Sequence, residues 1–195
     1  MLDGLVVEPE EGVQRMALLQ LSHGMSEYKE RYLPFMEYMA EHGVVCVIHD
    51  HRGHGKSVKS EQDLGFMYGA GGTGLVEDLF LVTKWAKKEY PDLPFVLMGH
   101  SMGSYMLRKY LTVYNDDLRG AIIMGTGCVP DSMTRLGINV CRFLAKIFGW
   151  HHRSKLVESL SFGGPYKKYD LSGKTPSNSW LTKDEDIVKF YYNEP

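Results

Sequence analysis

Residues 94–103 read Pro94-Phe95-Val96-Leu97-Met98-Gly99-His100-Ser101-Met102-Gly103. An apolar run ends in Gly-X-Ser-X-Gly and a helix-like stretch opens at Met102. That is the strand–turn–helix order of a nucleophile elbow, with Ser101 as its serine. So sharp a turn strains the backbone at the serine and drives the positions two residues to either side into collision. Gly99 and Gly103 remove the side chains that would clash. A pattern with three fixed positions arises by chance in a chain with 21 glycines, so the surrounding elements decide its meaning.

Upstream, Met16 to Leu21 is an apolar run ending at Ser22-His23-Gly24, which reads as a buried strand opening into a loop. Tyr32, Phe35, Met36 and Met39 recur at helical spacing within Glu27 to Glu41, and Gly43 supplies a stop. Val44 to Ile48 is a β-branched run, a second buried strand, followed by the polar loop His49 to Ser57. Leu75 to Tyr90 reads as a helix with Leu79, Val82, Trp85 and Ala86 on its inner face, closed by Pro91. After the elbow, a helix places Tyr105, Met106, Tyr110 and Val113 inward, and Ala121 to Met124 is a fourth strand. Strands alternating with helices imply the α/β class: a mostly parallel sheet with helices on both faces and working loops at the carboxyl ends of the strands. His23-Gly24-Met25, Asp50 to Ser57 and Ser101 all fall there.

After Gly125 the rhythm changes, dividing the chain into a core over residues 1–129 and a helical lid region over residues 130–195. The second part has no buried-strand pattern and opens with an amphipathic helix carrying Leu136, Val140, Phe143, Leu144 and Ile147. Arg135, Arg142, Lys146, Arg153 and Lys155 make it locally basic. One reading is a helix packed on the core with solvated charges. The other is a lid whose apolar side meets acyl chains and whose basic rim contacts a membrane surface transiently. Near the end, Thr182-Lys183-Asp184-Glu185 fits a capping box, placing the last helix from Lys183.

A length of 195 residues suits one domain with an inserted subdomain. Twenty-two basic against 24 acidic residues give a net charge of −2, which argues against nucleic acid and leaves a small-molecule or lipid substrate. Cys46, Cys128 and Cys141 are odd in number and lack a metal-ligand spacing, so they read as reduced thiols of a cytoplasmic protein. Asp3, Glu8, Glu10 and Glu11 crowd the start, and neither a signal peptide nor a membrane span is expected.

Three rival motifs fail on context. Gly69-Ala70-Gly71-Gly72-Thr73-Gly74 spells a dinucleotide fingerprint, but no β-branched strand precedes it and no ribose-binding acid follows. Gly55-Lys56-Ser57 ends like a phosphate loop, but Asp50 stands where the first glycine belongs and would repel the phosphates. His49, His51 and His54 hint at a metal, a minor alternative without a completing ligand pattern. No cofactor and no metal are expected.

Three blocks together resemble the α/β-hydrolase superfamily, and within it the monoacylglycerol lipase, lysophospholipase and serine aminopeptidase-like group. They are His23-Gly24-Met25-Ser26-Glu27 with Arg31-Tyr32, then Asp50-His51-Arg52-Gly53-His54-Gly55-Lys56-Ser57, then Gly99 to Gly103. Tyr28 stands where the group often has histidine. The resemblance implies that Ser101 is the acyl-accepting nucleophile of an ester hydrolase. It makes the backbone N–H groups of Met25 and Met102 the oxyanion hole. His23, Gly24, Gly99, His100 and Gly103 become structural support, and Arg52, His54 and Ser57 loop scaffolding, with Arg52 facing an acid such as Asp50. In that superfamily a triad acid and then a histidine follow the serine. Here the only later histidines, His151 and His152, lie in the basic stretch, and no later acid ends a strand-like run. The expectation is therefore a hydrolase core lacking its base, nearly inert alone, with the Ala121 to Met124 strand an open edge prone to self-association. The alternative is a non-catalytic binding or scaffold protein that keeps the fold.

Overall fold

A computed structural model describes residues 1–69, 71–114, 117–162, 164 and 166–193. Five strands form one sheet in the order β1-β3-β2-β4-β5: β1 (Gly4–Val7), β2 (Ala17–Ser22), β3 (Val44–His49), β4 (Phe95–His100) and β5 (Leu118–Met124). All neighbours are parallel except β1, which runs antiparallel to β3. The crossovers carry α1 (Leu33–Glu41), α2 (Gly71–Glu89) and α3 (Met102–Val113). Strand β1 is not among the strands that the apolar runs outline; it lies within Met1 to Gln14, the stretch that resembles the tail of the α/β-hydrolase opening hairpin.

Side chains alternate across the sheet as a strand's two-residue period requires. Leu18, Val45, Val47, Phe95 and Leu97 face Leu75, Val76 and Leu79 of α2 and Met106, Leu107 and Tyr110 of α3. Leu19, Leu21, Cys46, Ile48 and Met98 form the opposite layer with Met36 of α1. Both faces are therefore covered, which is why β2 and β3 read as nearly continuous apolar runs, broken in β2 by Gln20. Polar pairing occurs inside the first layer: Gln20 donates to the Leu79 carbonyl at 3.0 Å, and Thr83 donates to Gln20 at 2.7 Å.

Helix faces depart in phase from expectation. In α2 the buried stripe is Leu75, Val76, Leu79, Thr83 and Ala86, and Trp85 is exposed. In α3, Leu107 is buried with Met106 and Tyr110, while Tyr105 and Val113 face solvent. Helix α2 begins at Gly71, so Gly71 to Gly74 are its first turn rather than a nucleotide loop; Ala70 lies outside the described residues. The Glu27 to Glu41 segment forms a 3-10 turn at Lys29–Tyr32 before α1, with Pro34 in the first turn of α1.

The chain resolves into two compact units, Met1–Cys128 and Val129–Pro195. The second contains α4 (Asp131–Phe148), α5 (Lys155–Phe162) and α6 (Glu185–Asn193). None of the α4 residues is buried, with Leu136, Phe143 and Ile147 strongly exposed. Helix α6 starts at Glu185, not Lys183. Asp184 caps it, accepting from the amides of Asp186 at 3.0 Å and Ile187 at 3.1 Å. A carboxylate satisfies two orphan amides there, which the Thr182 hydroxyl two positions earlier does not reach.

Candidate active site

The chain leaves β2 toward β3 on one side and enters β4 and β5 on the other, so the carboxyl ends of β2 and β4 flank the point where strand order reverses. Open α/β sheets place their crevices there. The loop after β2 carries His23-Gly24-Met25, and the turn after β4 carries Ser101.

Ser101 has φ 51° and ψ −117°, a left-handed conformation that a serine adopts only under constraint from its surroundings. Its amide donates to the Met124 carbonyl of β5 at 3.0 Å, and its carbonyl accepts from the Ser104 hydroxyl at 2.6 Å. A Cβ on Gly99 would collide with the Gly103 backbone, and one on Gly103 would strike the Ser22 and His23 carbonyls. The glycines thus allow α3 to pack against β4 and the end of β2 at backbone contact. A Cβ on Gly24 would lie 3.2 Å from the Ser101 Cβ, so the loop after β2 runs directly beside the serine.

The loop is pinned from several sides. The Gly24 amide donates to Glu27 Oε2 at 2.9 Å, and the Tyr32 hydroxyl donates to the same oxygen at 2.7 Å. His100 meets Glu27 Oε1 and the Tyr32 hydroxyl through Nδ1, each at 3.2 Å. Burial and the Glu27 carboxylate push the Tyr32 phenol well above its usual range, so it remains a donor. Glu27 therefore links the loop to the residue preceding Ser101. Glu27 belongs to the first sequence block, where the pattern alone assigns it no task. Its position three residues after Gly24, within reach of a loop amide, was the available signal.

Behind the loop lie four buried histidines. Burial lowers His23 to about 4 and His49 to about 3, and it lowers His51 well below 6.5 and His54 also. At neutral pH the rings are uncharged. They face one another and backbone carbonyls, with the His23 and His51 centroids 4.0 Å apart. Among the described residues no group of three or more His, Cys, Asp or Glu side chains is arranged for a metal ion.

Asp50 does not face Arg52. Fully buried, it accepts from the Lys29 ammonium at 2.7 Å, the Lys29 amide at 2.8 Å and the Lys56 amide at 2.8 Å. Burial disfavours the Lys29 charge, but contacts to Asp3, Asp50 and Glu30 outweigh it and raise its pKa. Arg52 instead forks onto Asp78 of α2, with Nη2 to Oδ1 at 2.8 Å. β3 ends at His49, so Asp50 opens the loop within reach of Lys29, while Arg52, two residues further on, reaches Asp78 of α2. The acid of the second block is thus a loop anchor.

Residues 14–195 match the family described as serine aminopeptidase, S33. The chain belongs to the S33 family. This S33 chain is 30% identical over 132 residues to the monoglyceride lipase homolog of monkeypox virus, covering 67% of the chain and 46% of that protein. It is 27% identical over 176 residues to the monoacylglycerol lipase of Mycolicibacterium smegmatis strain ATCC 700084 / mc(2)155, covering 90% of the chain and 54% of that protein. The S33 chain thus spans about half the length of these curated relatives. Among solved structures, a thermostable carboxyl esterase from Bacillus coagulans in complex with glycerol superposes with a TM-score of 0.85 at 28% identity. That match covers 100% of the S33 chain and 61% of the esterase, and it supports the α/β-hydrolase core.

Proposed function

We propose that this chain carries the nucleophile and oxyanion loop of a carboxylic-ester hydrolase of the lipid type, acting on monoacylglycerol or lysophospholipid through an acyl-enzyme on Ser101. The observation that carries the reading is the left-handed Ser101 at the switch point with Gly24 against its side chain. Ser101 Oγ attacks the ester carbonyl, the carbonyl–oxygen bond of the leaving alcohol breaks, and that alcohol departs with a proton. Water then releases the acid. The Met25 and Met102 amides receive the negative charge on the carbonyl oxygen, a task worth about 3 to 4 kcal/mol per donor in comparable sites.

His100 serves as a brace, because its Nδ1 is committed to Glu27 and Tyr32 and its Nε2 edge lies toward Gly125. His151 and His152 belong to the second unit and receive no catalytic role. Turnover by the 195 residues alone is therefore expected to be low. The lipid preference rests on the two relatives with lipase names and on α4, whose exposed Leu136, Phe143 and Ile147 accompany Arg135, Arg142 and Lys146. This combination suits a lid in transient contact with an anionic lipid surface. No helix among the described residues is long and apolar enough to cross a membrane, and the free cysteines suit a cytoplasmic setting.

The test is a panel of monoacylglycerols, lysophospholipids, short esters and aminoacyl amides, run with fluorophosphonate labelling on this chain and on any longer product of the same gene. Labelling at Ser101 that Ser101→Ala abolishes, with esters turned over ahead of amides, is expected. Turnover of no ester by either product overturns the reading and favours a binding protein.

A further inference from the structure

The four buried histidines do more than fill space, because backbone partners fix the protonated nitrogen in His23 and His51, and the His51 ring then fixes it in His49. The His51 amide donates to His23 Nε2 at 3.0 Å, so that nitrogen is an acceptor; His23 Nδ1, 2.7 Å from the Gly24 carbonyl, therefore carries the proton. His51 Nε2 sits 3.1 Å from the His23 carbonyl and 3.3 Å from the Ser22 hydroxyl. A carbonyl only accepts, so His51 is protonated at Nε2 and bare at Nδ1. His49 Nε2 lies 3.3 Å from that bare nitrogen and must be the donor. His49 Nδ1 is left as a buried lone pair without a partner among the described atoms. An orphaned acceptor is tolerated more readily than an orphaned N–H, so the assignment is the less costly one at this end too.

We propose that His49 and His51 are positioning residues for the oxyanion loop, forming with His23 a single-tautomer relay that clamps two consecutive peptide planes beside Ser101. In the His23–Gly24 plane, His51 Nε2–H holds the carbonyl and Glu27 holds the Gly24 amide. In the Gly24–Met25 plane, His23 Nδ1–H holds the carbonyl, which fixes the direction of the Met25 N–H at the other end of the same rigid unit. His49 contributes by donating into His51 Nδ1, which prevents His51 from taking the tautomer that would leave the His23 carbonyl without its donor. The task of the clamped amide rests on the proposed hydrolase reading; the clamp itself does not.

The test uses the 195-residue chain labelled with nitrogen-15, with long-range proton–nitrogen NMR at pH 7. Protonation of His23 at Nδ1 alone, and of His51 and His49 at Nε2 alone, is expected. Finding His51 or His49 protonated at Nδ1, or either ring cationic, overturns the relay without any variant. His49→Phe keeps an aromatic ring and removes the donor. It is expected to mix the His51 tautomers and to speed exchange of the Gly24 amide at least tenfold, with the Leu97 and Val45 amides unchanged; His49→Gln, which restores an N–H donor, should recover most of that protection. Unchanged Gly24 exchange and an unchanged His51 tautomer in His49→Phe also overturn the relay. Correct tautomers with no ester turnover by any product of the gene sink the hydrolase reading and leave the clamp standing.

Discussion

Gly103 is the residue at which the site tolerates least. A methyl group there would meet two backbone carbonyls, those of Ser22 and His23, and neither can rotate away as a flexible side chain would. Gly103→Ala is expected to cost about 3 kcal/mol, the scale of forced backbone shifts, read as a lowered urea midpoint. The histidines set the response to acid. Burial lowers His23 to about 4 and His49 to about 3, whereas the unfolded rings titrate near 6.5. As pH falls below 6.5 the unfolded chain takes up protons that the folded one refuses. The stabilisation is therefore complete above pH 6.5 and is lost as pH drops toward 4, by on the order of 3 kcal/mol per ring. Urea midpoints at pH 7.5, 5.5 and 4.5 should descend in that order, and a flat series would show that the rings are not held neutral.

At the scale of elements, the caps and faces show what a linear pattern conveys. β2, β3 and β4 were legible because both faces of an interior strand are mostly apolar, so the run is nearly continuous, with Gln20 its one polar break in β2. β1 was not, since four residues are too few for a pattern and its pairing to β3 joins positions about forty residues apart. Helical spacing located α2 and α3 but misplaced Trp85, Tyr105 and Val113, because a large apolar residue at a stripe's margin is counted like one at its centre. For α6, Asp184→Ala should remove both side-chain acceptors at the first turn and cost about 1 kcal/mol, with Thr182→Ala costing less; thermal melts of the pair distinguish them. For α4, Phe143→Ser with Ile147→Ser should reduce sedimentation with anionic vesicles severalfold and leave the helical content measured by circular dichroism unchanged.

Across the whole molecule, the sheet is protected unevenly. β2 and β3 are covered on both faces, whereas Ile122, Ile123 and Met124 of β5 are exposed, and β5 is the last strand of the described sheet on that side. An apolar edge of this kind invites pairing. Self-association at micromolar concentration is expected by light scattering, and Ile122→Lys should diminish it. The site was legible in part for a related reason. Ser101, Gly99 and Gly103 declare themselves because local geometry demands them within five residues. The Lys29–Asp50 and Arg52–Asp78 pairs, and the link from Glu27 to His100, join residues 21 to 73 positions apart, and only the folded sheet shows which charge meets which. The division into two compact units also separates the chromophores. Trp85 is the only tryptophan of the first unit, and Trp150 and Trp180 belong to the second, where Trp180 donates to the Tyr192 hydroxyl at 3.3 Å. Trp85→Phe therefore leaves tryptophan emission that reports on residues 129–195 alone, and Trp150→Phe with Trp180→Phe leaves emission that reports on residues 1–128 alone, so the two variants follow the melting of each unit separately.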